Sequence, residues 1–139
     1  MRIHLLFIFL LFYSGTALFA QSTIDSTNEK LERVFQTEEV KPSFKGGDEA
    51  LNQYLNKNVN PGQPDDGDEA TVIFIVSAKG NIYEVKELSG NLGFEKSLTK
   101  ALLKSSGLWN SGLQNDHHIS AYCKLKITYR NEKIWAEIQ

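Results

Sequence analysis

The sequence of 139 residues predicts an α+β fold, with two short helices on one face of a three-stranded antiparallel sheet. Three observations predict it. Apolar residues recur at helical spacing in two separate stretches, one around Ala50 to Leu55 and one from Phe94 to Leu102. The period changes to two in three others: Thr71 to Ser77, Ile82 to Leu88 and Ser120 to Arg130. The resulting order is helix, strand, strand, helix, strand.

The chain opens differently. Residues 1–20 carry Arg2, an apolar run from Leu5 to Tyr13, then Ser14, Gly15 and Thr16, and end with Ala20 before Gln21. That is the order of a secretory signal peptide cut after Ala20. The apolar core is only about ten residues, against about 20 for a membrane span. An uncleaved anchor is the alternative. Residues 21–41 are polar and read as a tether, with Leu31, Val34 and Phe35 spaced to allow a short helix. Lys41-Pro42 closes it, because a proline pushes the residue before it out of helical geometry. Residues 42–131 form the domain, and 132–139 a tail.

Within the domain, Gly46-Gly47 permits a positive-φ bend onto the first helix. Asp48 is placed to cap that helix, and Ala50, Leu51, Tyr54 and Leu55 are its apolar stripe. Asn56, Asn58 and Asn60 weaken it and Pro61 stops it. Gly62 to Glu69 is a polar loop. Thr71 to Ser77 is apolar on both faces, as a covered central strand is. Ala78 to Asn81 turns the chain into Ile82 to Leu88, the return of a hairpin. After a break at Ser89 to Gly93, Phe94, Leu98, Ala101 and Leu102 mark the second helix, which ends at Ser105-Ser106-Gly107. The following "LWNSGLQNDHH" reads as a loop. In the last clear strand Ala121, Cys123, Leu125, Ile127 and Tyr129 face one way, and Tyr122, Lys124, Lys126 and Thr128 the other. Ile134, Ala136 and Ile138 alternate in the tail, as in a weak fourth strand.

Composition excludes several functions. The net charge is -2 and no basic patch is present, so nucleic acid is not the expected partner. One cysteine allows no internal disulfide. On the apolar face of a strand, Cys123 reads as a small core residue rather than a nucleophile. The glycine pair lacks the preceding strand and the Gly-Lys-Ser/Thr ending of a phosphate loop, and Asp48 and Glu49 fill the place of an anion. His117 and His118 are adjacent in an extended segment, point oppositely and make a poor chelate beside Asp116. Asp65, Asp66, Asp68 and Glu69 lack the register of a calcium loop and read as a solvated loop. No catalytic triad or nucleophile elbow is visible. The expectation is a protein with no catalytic residue, metal or cofactor. The rival class is an enzyme or metal protein with an unfamiliar site.

Taken together, "PSFKGGDEALNQYLNKNVNP", "VIFIVSAKGNIYEVKELSG", "FEKSLTKALLKSSGLWNSGLQN" and "SAYCKLKITY" resemble the C-terminal domain of TonB, in its Bacteroidetes variety. Phe44, Gly46, Gly47, Ala50, Leu51 and Leu55 match the lead motif of that variety. Asn60-Pro61 stands where tyrosine-proline is usual, and Gly80 and Trp109 match further on. The resemblance implies a helix-strand-strand-helix-strand fold and a non-enzymatic role. It implies strand addition: an extended segment of an envelope protein, such as a TonB-dependent outer-membrane receptor, pairs with the last strand. Tyr122, Lys124, Lys126 and Thr128 would then set preference, while Phe44, Gly46, Gly47, Pro61, Gly80 and Trp109 are structural. The expected location is the periplasm; the alternative, if the apolar start is an anchor, is an inner-membrane short TonB-like energy transducer for outer-membrane transport. The tail could instead pair with the last strand and block it, and a homodimer could form there. The chain departs from a force-transmitting TonB in its spacer. It has three prolines, none of them between Gln21 and Lys41, and its loop before the first strand is acidic.

Overall fold

The computed structural model describes residues 34–35 and 38–139. The signal peptide and most of the tether lie outside the described residues. Ten elements follow in order: β1 (Val34–Phe35), β2 (Ser43–Phe44), α1 (Gly47–Asn58), β3 (Glu69–Val76), β4 (Ile82–Gly90), α2 (Glu95–Lys104), β5 (Trp109–Asn110), β6 (Gly112–Gln114), β7 (His117–Arg130) and β8 (Lys133–Ile138). The α+β class holds. The three-stranded sheet does not: the main sheet has six strands, in the order β1-β7-β3-β4, with β6 and β8 also paired to β7. A second sheet joins β2 to β5.

The extra strands arise where the sequence carries weak signals. Val34 and Phe35, spaced for a helix, are instead a strand parallel to Ser120 and Ala121. Two residues gain more from pairing with an existing sheet edge than a helical turn gains from its own nucleus. The stretch from Trp109 to His118 is not a loop but β5, β6 and the start of β7. Asn115 and Asp116 both take positive φ, and that two-residue turn joins Gln114 to His117. The tail is a full strand, returning through Asn131 and Glu132, again both at positive φ.

Helix α1 begins as the glycines suggest, but not with the expected cap. Gly46 and Gly47 have φ of 92° and 81°. Gly46 itself is the capping residue, and no side chain accepts from the first turn, so Asp48 caps nothing. Its charge still favours the helix N-terminus. Helix α2 starts differently. The Glu95 carboxylate accepts from the backbone of Leu92 and Gly93, each at 3.0 Å. The backbone N–H groups of Glu95 itself, Leu92 and Gly93 hold its carboxyl below the usual range.

One core unites these pieces. Leu51 and Leu55 of α1 and Leu98, Ala101 and Leu102 of α2 join Val72, Phe74 and Val76 of β3, Leu125 and Ile127 of β7, and Ile134 and Ala136 of β8. Both helices therefore cover the same face of the sheet. Trp109 is the hub, 1% exposed, with Phe44 edge-on at 5.2 Å and Phe74 at 5.1 Å between ring centroids. Its indole N–H donates to Ser105 Oγ at 2.8 Å, which satisfies the one polar atom of a buried ring.

Candidate strand-binding site

Strand β7 carries the residues that the alternation singles out. Ala121, Cys123, Leu125 and Ile127 are buried, whereas Lys124 is exposed and Tyr122, Lys126 and Thr128 are half-buried. These last four lie on the sheet face away from the helices. Lys126 reaches Glu69 of β3 at 3.0 Å. As an exposed pair it adds little stability.

The position of β7 in the sheet corrects one expectation. It is not a free edge. Strand β3 pairs along one side from Ala121 to Thr128. On the other side β1 pairs at Ser120 and Ala121, and β8 pairs antiparallel from Leu125 to Arg130. Gln139 extends the contact by donating its N–H to the Lys124 carbonyl at 2.9 Å. The tail therefore occupies the side of β7 that strand addition would use.

Strand β8 is in turn closed by α1. Ile134 donates its N–H to Asn56 Oδ1 at 2.8 Å, and Asn56 Nδ2 donates to the Ile134 carbonyl at 2.7 Å. Ala136 donates its N–H to Asn52 Oδ1 at 2.6 Å. Beside this seam, between Glu49, Gln53, Lys133 and Trp135, lies a shallow cavity of about 560 Å³. Trp135 is half exposed over it. Sequence reasoning reads Asn56 only as a helix weakener and passes over Asn52. The available signal was their i, i+4 spacing on a helix that asparagine does not favour.

The opposite rim of the main sheet is less regular. No described strand pairs on the outer side of β4. The pairing of β4 with β3 shifts register twice, between Thr71 and Val72 and between Ile73 and Ile75. Glu84 there has φ of 52°. Such bulges twist an edge and discourage further strands.

Phe44 and Gly80 lie against Trp109, Gly46 and Gly47 make the positive-φ entry to α1, and Pro61 follows the end of that helix. Cys123 is 2% exposed, and burial pushes its thiol up to about 12. His118 Nδ1 lies 2.6 Å from Ser111 Oγ beside the β6–β7 hairpin, and both His117 and His118 are exposed. In the acidic loop, Asp68 Oδ2 accepts from the Asp65 backbone at 3.0 Å and Asp66 Oδ1 from Asn131 at 2.7 Å. The second bond ties the loop to the β7–β8 turn. Among the described residues no three His, Cys, Asp or Glu side chains gather as a metal site. No helix among them is long and apolar enough to cross a membrane.

Residues 48–110, from α1 through β5, match the family model described as TonB C terminal. The matched stretch belongs to the TonB C-terminal family. Domains of this family are protein-interaction modules that engage envelope proteins such as TonB-dependent receptors. No curated protein and no solved structure matches the chain. The matched stretch ends before β7 and β8, so the strand-binding side rests on geometry alone. It does include α1, with Asn52 and Asn56.

Proposed function

We propose that the chain is an exported, non-enzymatic binding module. It recognises an extended segment of an envelope protein, with a TonB-dependent receptor as the leading class of partner, by adding that segment to its sheet. The segment pairs with β7 in place of β8. Export rests on Arg2, the apolar run from Leu5 to Tyr13 and the small residue Ala20.

The supporting observation is the antiparallel ladder between Leu125–Arg130 of β7 and Lys133–Ile138 of β8. A strand side that holds one short segment by main-chain bonds accepts another of matching pattern. Side chains then supply preference. Trp135 stands opposite Thr128 and Glu137 opposite Lys126. An incoming residue at the Glu137 position therefore faces a lysine, which favours an acidic side chain there.

The test is binding of receptor N-terminal peptides to the full chain and to a variant ending at Asn131. Tighter binding to the shortened chain is expected. Circular dichroism shows whether that variant is folded, and Ile134→Asp, which unseats β8 without shortening the chain, repeats the test. Folded variants that bind no peptide more tightly than the full chain does would sink the proposal.

A further inference from the structure

We infer that Asn52 and Asn56 of α1 are a main-chain reader for whatever strand lies beside β7. The inference extends to the occupant: a proline-free segment with aliphatic, small and aliphatic residues at alternate positions. It rests on the strand-addition reading above and names the ligand pattern of that same site.

The geometry matches two periodicities. Four residues along a helix advance about 6 Å. Two residues along an antiparallel strand advance about 6.8 Å. Asparagines at i and i+4 on α1 therefore meet every second residue of a strand laid alongside. On β8 those residues are Ile134 and Ala136, whose N–H groups point away from β7. Asn56 accepts from and donates to the same residue, Ile134, as a neighbouring strand residue would. Asn56 Nδ2 also donates to the Asn52 carbonyl at 2.8 Å, which fixes the amide in that orientation. None of these bonds involves a side chain of β8. They read backbone, so they serve any strand in the slot.

Side-chain pockets supply the pattern. Ile134 and Ala136 are 1% and 6% exposed, in the core between the sheet and α1. Ile138 packs against the same core while remaining partly exposed. Lys133, Trp135 and Glu137 are all exposed. The slot thus accepts aliphatic, small and aliphatic residues at alternate positions and tolerates large or charged ones between. Proline fails between the Ile134 and Glu137 positions, because α1 takes the N–H groups of Ile134 and Ala136 and β7 pairs with the residues between them. Strand β8 meets each requirement and is the resident occupant. A partner segment must meet the same ones to replace it.

Two measurements on the full chain test this. The first is amide hydrogen exchange. In the Asn52→Ala/Asn56→Ala variant, protection at Ile134 and Ala136 should fall about tenfold or more while the β3 amides keep theirs. Unchanged protection at those two amides overturns the inference. The second uses a fluorescent peptide with the sequence of Lys133–Gln139 and the Ile134→Asp chain, whose slot is open. The peptide should bind that chain about tenfold or more tightly than the unaltered one, and about tenfold more weakly once both asparagines are alanine. The same peptide with aspartate at the three alternate apolar positions should not bind. Equal binding with and without the asparagines overturns the inference. So does an unaltered chain that sediments as a dimer with β8 exchanged, since a second copy is then the occupant. If the probe enters the slot and receptor peptides do not, the functional reading fails alone. If the probe does not enter, the inference fails whatever receptor peptides do.

Discussion

The side-chain amide of Asn56 closes a two-bond ring with the main chain of Ile134, at 2.8 and 2.7 Å. It joins the first helix to the last strand, 78 residues apart in sequence. Asn56→Ala deletes both bonds. Asn56 is exposed, so water replaces part of what is lost. Alanine also favours the helix by about 0.6 kcal/mol. Against that stand two hydrogen bonds worth about 1 kcal/mol each. The expected net loss is about 1 kcal/mol, read as a lower urea midpoint with an unchanged slope. A midpoint at or above that of the unaltered chain would show that the ring contributes nothing.

Gly80 and Trp109 meet as closely. A Cβ on Gly80 would lie 2.3 Å from the Trp109 carbonyl oxygen, and Gly80 has φ of 81°. Gly62 also has positive φ, at 67°, but open space around it. Alanine at Gly62 should cost about 1 kcal/mol for the left-handed backbone alone. Alanine at Gly80 adds a collision with backbone and should cost about 3 kcal/mol or more. The difference between the two melting temperatures isolates the contact, and equal values would refute it.

The legible part of the fold was the part with strong periodicity. Leu51 and Leu55, or Leu98, Ala101 and Leu102, announce a buried helical stripe because 3.6-residue spacing leaves no other common face. The alternation from Ala121 to Ile127 announces the inner face of β7. Short strands lack that signal. Val34–Phe35, Trp109–Asn110 and Gly112–Gln114 are strands only because neighbours offer unpaired backbone, which two or three residues of sequence cannot show. The same holds for the site. Alternation identifies Tyr122, Lys124, Lys126 and Thr128 as one face, but a face says nothing of what pairs along the edge. Whether Lys133–Ile138 takes that place depends on the turn at Asn131-Glu132 and on Asn52 and Asn56, far away in the chain.

The proposed export makes a prediction about mass. Protein recovered from its native envelope should be soluble and should weigh what Gln21 to Gln139 weighs. A full-length mass in the inner-membrane fraction would instead make the apolar start an anchor, and a short-tethered energy transducer would become the better reading.

Cys123 links stability to pH. Burial pushes its thiol up from an ordinary value of 9.0 to about 12. A raised pKa means that the folded state holds its proton where the unfolded chain has lost it. The contribution is therefore complete below about pH 9 and is lost as pH rises from there to about 12. By about pH 10.5 the loss should reach about 2 kcal/mol, at 1.36 kcal/mol for each unit above the unfolded value. Tyr54 complicates the raw curve, because burial raises its pKa too and its hydroxyl donates to the Ala101 carbonyl at 2.9 Å. The difference between the unaltered chain and Cys123→Ala removes that contribution. Urea midpoints measured from about pH 8 to about 11 should fall more steeply for the unaltered chain than for Cys123→Ala. Parallel curves would mean that the thiol ionises as readily folded as unfolded, and that Cys123 is not sealed in the core. A thiol reagent probes the same burial independently. At about pH 8 it should label Cys123 only at the rate at which the chain opens, and immediate labelling of the folded protein would contradict the burial.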